Sequence, residues 1–265
     1  MEHISVGDAK LAVSRRGEKG YALLLVHGFP LDHTIWQPQI DYFSDHCRVI
    51  AVDLRGFGNS DVTPGTVTME QMADDLERLL STMLHAKEQV IFCGLSMGGY
   101  VGWQFWRKYK HRVRAMISCD TRAVPDSPEA AAGRAKLAET VLKQGSVAAA
   151  DVMLPKMFAP NTAQSQPKLA ERVRFIMERQ KPEGIAAALH GMAARPDARD
   201  LLTTIDVPSL VIVGDHDTIS TPAEMRQIAD AMPDSEWVSI PDAGHLACLE
   251  NPTVVNNAIA EFILQ

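Results

Sequence analysis

Val90-Ile91-Phe92-Cys93-Gly94-Leu95-Ser96-Met97-Gly98-Gly99 joins an apolar run to a helical one through a turn of glycines around a single serine. The run Val90–Phe92 reads as a buried strand, and the stretch through Tyr100–Tyr109 as a helix. A serine on so sharp a strand-to-helix turn has a strained backbone and a hydroxyl standing clear of the sheet. Side chains two positions to either side would collide, which accounts for Gly94 and Gly98. Ser96 is therefore the candidate nucleophile. A glycine-rich turn with no chemistry is the competing reading, and the strand before and helix after it count against that.

A hydroxyl is a weak nucleophile until a base takes its proton. Of nine histidines, His245 stands in Pro241-Asp242-Ala243-Gly244-His245, just after the apolar run Trp237–Ile240. That puts it at the C-terminal edge of the sheet with Ser96, the edge where open α/β sheets bind ligands. His27 ends a strand and orients its own loop; the other histidines read as solvated surface groups. The base in turn needs a carboxylate to fix its tautomer. Gly214-Asp215-His216-Asp217 follows the run Leu210–Val213, and Asp217 is the candidate acid. Asp215 reads as a turn former. Asp120, just past Val113–Ser118, reaches the same edge and is the rival acid.

The developing oxyanion needs two backbone donors. The N–H of Met97, next after the nucleophile, is one candidate. The other comes from His27-Gly28-Phe29-Pro30, where Phe29 is preferred because Pro30 has no N–H to give.

Further strands are expected at Leu23–Val26 and Val49–Val52, with Ile4–Val6 and Lys10–Val13 as an opening hairpin about Gly7-Asp8. Continuous rather than alternating apolarity marks strands covered on both faces, as in a parallel sheet. Helices fill the gaps. Thr68 with Gln71 reads as a capping box ahead of Met72, Leu76, Leu79, Leu80 and Met83. Thr221, Pro222 and Glu224 start a second helix, and Asn251-Pro252 a third. From about Arg122 to Arg195 no strand pattern appears, and about seventy residues are too many for a connection. The expected organisation is a core of residues 1–121 and 196–265, with a helical cap, 122–195, inserted between two sheet strands.

The chain has 265 residues, 46% hydrophobic and 22% charged, which suits one sizeable globular domain with an insertion. A net charge of −7 gives no field that attracts phosphate backbones, so nucleic acid and anionic membrane are not expected partners. No run approaches the length of a membrane helix, and the first residues lack the pattern of a signal peptide. The four cysteines, Cys47, Cys93, Cys119 and Cys248, have no metal-binding spacing. No metal is indicated, and a reducing cytoplasm is the expected location.

These motifs together resemble the α/β-hydrolase superfamily over essentially the whole chain. His27-Gly28 matches its HG motif, Asp53 to Ser60 its DxRGxGxS, and Gly94 to Gly99 its GxSxGG. Gly214 to Asp217 matches GxxD, and Gly244-His245 with Glu250 and Pro252 matches GHxxxxExP. The chain order Ser96, Asp217, His245 is also that of this superfamily. The resemblance implies a mostly parallel eight-stranded sheet with helices on both faces, an inserted cap and no cofactor. Within the superfamily the chain is similar to 3-oxoadipate enol-lactonases and related carboxylesterases. A serine hydrolase of small to medium carboxylic esters or lactones is the implied activity. A carbon–carbon bond hydrolase, a perhydrolase or a ligand receptor of the same fold are the alternatives. Relatives with an aspartate nucleophile are set aside, because position 96 is serine.

Arg122 and Trp36 are weaker candidates, for binding substrate. Arg122 could take a substrate carboxylate, against a surface pairing with Asp126; Trp36 could line a pocket, against packing in the core. Asp53 and Arg55 read as holding the turn after Val49–Val52, with an ion pair between them as the sharper alternative.

Overall fold

The computed structural model describes residues 1–264. Its eight strands form one sheet in the order β1-β2-β4-β3-β5-β6-β7-β8. They are β1 (Glu2–Ser5), β2 (Lys10–Arg16), β3 (Ala22–Val26), β4 (Arg48–Val52), β5 (Val90–Leu95), β6 (Val113–Cys119), β7 (Ser209–Gly214) and β8 (Ser235–Ile240). The hairpin β1–β2 and the pair β2–β4 are antiparallel; every other pair is parallel. β5 runs three residues and β6 one residue beyond their apolar runs, because ladder bonds continue wherever a neighbour is present. Val6 leaves β1, its N–H donating to Ala9 across the turn.

Alternation along the central strands explains their unbroken apolarity. Leu24 and Val26 pack into one core, with Val211 and Val213 from β7, while Leu23 and Leu25 pack into a second with Leu210 and Ile212. Both faces are covered, which is the condition under which parallel sheets occur.

The helices are α1 (Gln37–Phe43), α2 (Met69–Met83), α3 (Met97–Tyr109), α4 (Pro128–Gln144), α5 (Val147–Met157) and α6 (Thr162–Ser165). After them come α7 (Pro167–Glu178), α8 (Pro182–Ala193), α9 (Arg199–Leu202), α10 (Pro222–Ala231), α11 (Ala247–Glu250) and α12 (Pro252–Ile263). Thr68 caps α2 by accepting the Gln71 N–H at 3.1 Å, and Met72, Leu76, Leu79 and Leu80 are buried as the spacing requires. The reciprocal half of that capping box is absent among the described residues. On α10 both halves are present, between Thr221 and Glu224. Six helices, α4 to α9, separate β6 from β7. Among the described residues, no helix is long and apolar enough to cross a membrane.

This topology lines up the parallel strands so that their C-terminal ends share one edge. Val26 pairs with Gly94, Leu95 with Cys119, and Gly214 with Ile240. The loops after β3, β5, β6, β7 and β8 therefore all open where Ser96, Asp217 and His245 stand.

Candidate active site

Ser96 links β5 to α3 with φ 52° and ψ −112°, in the left-handed half of backbone space that L residues other than glycine rarely enter. Its surroundings show why glycines flank it. A methyl group on Gly98 would lie 2.3 Å from the Val26 carbonyl oxygen, and one on Gly94 would lie 2.6 Å from Gly98. Both obstacles are backbone and cannot swing away. Gly98→Ala should therefore lower the unfolding free energy by about 1–3 kcal/mol, the usual range for overpacking. Urea denaturation measures this, and an unchanged midpoint would mean that the Val26 end of β3 yields.

The structure brings three of the predicted residues into one hydrogen-bonded chain. The Ser96 hydroxyl and His245 Nε2 are 2.8 Å apart, as are His245 Nδ1 and Asp217 Oδ2. Asp217 offers only acceptors there, so a neutral His245 has its proton on Nδ1 and presents a lone pair on Nε2 to the serine hydroxyl. The other carboxylate oxygen of Asp217 accepts the Ile219 and Ser220 N–H groups at 2.7 and 3.1 Å, which fixes its plane. His245 is 1% exposed and Ser96 9%, so the chain of bonds is nearly dry. Electrostatic interactions are stronger in such a setting than in water.

Asp120 stands at the end of β6 with φ 44°. Its Oδ1 accepts the Gly214 N–H at 2.8 Å, and its buried Oδ2 has no partner. Burial first, then the Asp217 carboxylate, push the Asp120 carboxyl well above the usual carboxylate range. Among the described hydrogen bonds, Asp217 and not Asp120 touches His245. Asp215 accepts the Ala243 N–H at 3.3 Å and shapes the turn.

The proposed oxyanion donors come from the loop after β3 and from the start of α3. The Met97 N–H is in the first turn of α3, where amides lack partners within their own helix. Gly28 lies against the nucleophile, since a methyl built on it would sit 3.2 Å from Ser96 Cβ. Among the described residues, the next amide, Phe29 N–H, has no acceptor in a turn, loop or cap. His27 holds this loop. Its Nε2 accepts the Leu54 N–H at 3.0 Å, so its Nδ1 is the donor to the Gly28 carbonyl at 2.8 Å. Burial pushes its pKa down, consistent with that neutral tautomer.

Arg122 is not paired with Asp126. Its Nε and Nη2 donate to Glu224 at 3.1 and 2.5 Å, while Asp126 is held by Arg134 and Arg195. The groove Arg122 borders, with Leu202 and Ile228, contains none of Ser96, Asp217 and His245. Trp36 is 0% exposed and packs among Leu25, Leu31 and Phe43. It turns inward because it ends the short 3₁₀ turn His33–Trp36 against the sheet. The Arg122 guanidinium is thus already paired, and the Trp36 indole lies within the core. Asp53 and Arg55 do not pair with each other either. Arg55 meets Asp75 and Asp8, whereas Asp53 accepts from His33 and the Asn59 N–H.

His33, read from sequence as a surface group, is buried against Asp53 at 2.6 Å. Asp32, His33 and Asp53 are close enough for one cation to touch all three. Their carboxylates already have protein donors, however: Asp32 takes Thr34, Arg179 and Gln180. Burial opposes charge on Asp32, but the hydrogen bonds from Thr34 and Arg179 outweigh it and hold its pKa low. Nothing local in the sequence pointed to this cluster, since Arg179 lies 147 residues further along.

The comparisons agree with the fold. The chain is 46% identical to a thermophilic esterase from Thermogutta terrifontis, solved with malate bound, over 97% of this chain and 93% of that one, with a TM-score of 0.94. The enol-lactonase from Burkholderia xenovorans LB400 is 30% identical, covers all of both chains and superimposes with a TM-score of 0.92. Among curated proteins, 3-oxoadipate enol-lactonase 2 of Acinetobacter baylyi is 29% identical over 90% of this chain and 86% of its own length. The family model for the alpha/beta hydrolase fold matches residues 21–252, and the chain belongs to that family.

Proposed function

We propose that this hydrolase cleaves small to medium carboxylic esters or lactones by acyl transfer through Ser96. The observation that carries the reading is the unbroken chain Ser96–His245–Asp217, each link 2.8 Å long. Ser96 Oγ attacks the carbonyl carbon as its proton passes to His245 Nε2, and Asp217 stabilises the imidazolium. The Phe29 and Met97 amides receive the developing negative charge. His245 then gives its proton to the leaving alkoxide, which departs or, from a lactone, stays tethered. Water, deprotonated by the same imidazole, releases the acid and restores Ser96. The esterase and enol-lactonase relatives support the bond type. No step calls for a cofactor.

In this reading residues 122–195 are a cap over a core of 1–121 and 196–265. Four buried, unpaired cysteines support a reducing compartment. A panel of p-nitrophenyl esters and lactones tests the activity, and product analysis with acetate plus peroxide or with a dienol diketone tests the neighbouring chemistries. Hydrolysis of no ester or lactone in the panel would overturn the reading.

The cap also sets an expected substrate size. Met157, Val173, Ile176 and Met177 share one apolar cluster with Ala243 and Leu246, the neighbours of His245. We read this cluster as the apolar, closely packed wall of the acyl site, with few fixed polar contacts. Each buried methylene of an acyl chain adds about 0.8 kcal/mol until overpacking reverses the gain. The ratio kcat/KM should peak between acetate and hexanoate and fall beyond. Rates still rising at dodecanoate would mean a long open groove instead.

A further inference from the structure

Glu250 belongs to the GHxxxxExP signature, yet the acyl-transfer steps leave it unused. It is buried at the end of α11, five residues after His245. Its two oxygens serve different parts of the molecule. Oε1 accepts the N–H of Gly244, the residue before His245, at 2.8 Å. Oε2 accepts the Ala159 N–H at 2.8 Å and the Thr162 hydroxyl at 2.6 Å, both from the stretch leading from α5 into α6. On the other side of the histidine, the Leu246 N–H donates to the Met157 carbonyl at 3.2 Å. The two backbones are pressed together here: a methyl on Gly244 would lie 2.5 Å from the Phe158 carbonyl carbon.

We propose that Glu250 is a positioning residue for His245, and that through it the inserted helices set the reach of the imidazole towards Ser96. The inference rests on the acyl-transfer reading above. Hydrogen bonds to an ionised acceptor are shorter and stronger than neutral ones, and this carboxylate takes three. A nucleophile and base displaced by about 1 Å can lose about 100-fold in rate. Glutamine at 250 has one oxygen and one NH₂. Whichever way its amide turns, a donor faces a backbone N–H, either at Gly244 or at Ala159, and a buried bond is lost. Thr162→Val removes one of the two bonds from the inserted segment and leaves those from Ala159 and Gly244 in place.

The test compares wild type, E250Q, T162V and T162S by kcat and KM on p-nitrophenyl butyrate, by fluorophosphonate labelling rate and by melting temperature. Labelling uses the same serine and base but no acyl-group turnover. E250Q should lower kcat and the labelling rate together by about 10- to 100-fold, with KM within about threefold. T162V should lower both by about 3- to 10-fold at an assay temperature well below its melting point, and T162S should restore them. A fall in melting temperature with kcat unchanged would make Glu250 a purely structural residue and overturn the proposal. An effect of E250Q with none of T162V would overturn the part given to the Thr162 bond from the inserted helices. Failure of the acyl-transfer reading looks different: wild type itself would neither hydrolyse the ester nor take the label at Ser96.

Discussion

Ser96→Ala should lower kcat by roughly 10⁴ to 10⁶, the range seen when a serine nucleophile is removed from a comparable triad. The expectation follows from how little else at the site can replace the hydroxyl. A neighbouring hydroxyl, Thr121 Oγ1, is committed to the Ser96 carbonyl oxygen at 2.7 Å. His245 would keep Asp217 but have no alcohol to deprotonate. What remains, transition-state binding by the two proposed oxyanion amides, should still leave a rate above that in water. The variant should fold normally. Alanine keeps the Cβ and the backbone strain already present, and the serine hydroxyl makes no capping bond to α3. Purified wild type and variant are compared on p-nitrophenyl butyrate, with a fluorophosphonate probe and peptide mapping to locate the label. Labelling should be confined to Ser96 and vanish in the variant. Ordinary turnover by the alanine protein would sink the acyl-enzyme mechanism.

The parts of this molecule that sequence made legible share one property: their cause is local. Gly94, Ser96 and Gly98 are read together because the strain of a single turn demands all three. His245 and Asp217 could be placed without knowing any contact, because each follows a strand whose direction the parallel sheet dictates. The strands were readable for a related reason. With both faces covered, Leu23 and Leu24 point opposite ways and are both buried, so the apolar run is continuous.

Features that depend on a distant partner were not legible. Arg122 sits beside Asp126 in sequence but pairs with Glu224, 102 residues on, because α10 begins where β6 ends. His33 looks like any loop histidine until β4 delivers Asp53 beside it. Trp36 is amphipathic, and only the rotation of a 3₁₀ turn decides whether its ring faces a cavity or the core. In the core its Nε1 goes without a partner. A buried indole N–H usually finds one, so this position sets shape and apolar packing above polar satisfaction. The role of Glu250 was hidden in the same way, since the amides it holds lie six and 91 residues away.

Replacement of Asp217 by asparagine should lower kcat by about 10⁴, while the same change at Asp120 should leave it within about threefold of wild type. The contrast comes from which oxygens are already engaged. At 217 one oxygen is fixed by the Ile219 and Ser220 N–H groups and the other receives His245 Nδ1–H. An asparagine has one oxygen, and the two backbone donors hold it on their side. Its NH₂ then faces Nδ1 and favours the tautomer with the proton on Nε2, which cannot accept from Ser96. At 120 the asparagine oxygen can still accept the Gly214 N–H, and the acid it replaces has its pKa raised by burial and by the Asp217 carboxylate. Stability provides a second readout. A carboxyl with a raised folded pKa gives its full contribution below the unfolded pKa and loses it as pH rises through the folded one. Asp120→Asn escapes that loss, so near pH 8, about four units above a free aspartate, it should melt no lower than wild type. The kinetic measurement is kcat on one ester for both variants, with melting curves at about pH 5 and about pH 8. If Asp120→Asn were the inactive protein and Asp217→Asn the active one, the acid would belong to β6, and the loop after β7 would have only a structural part.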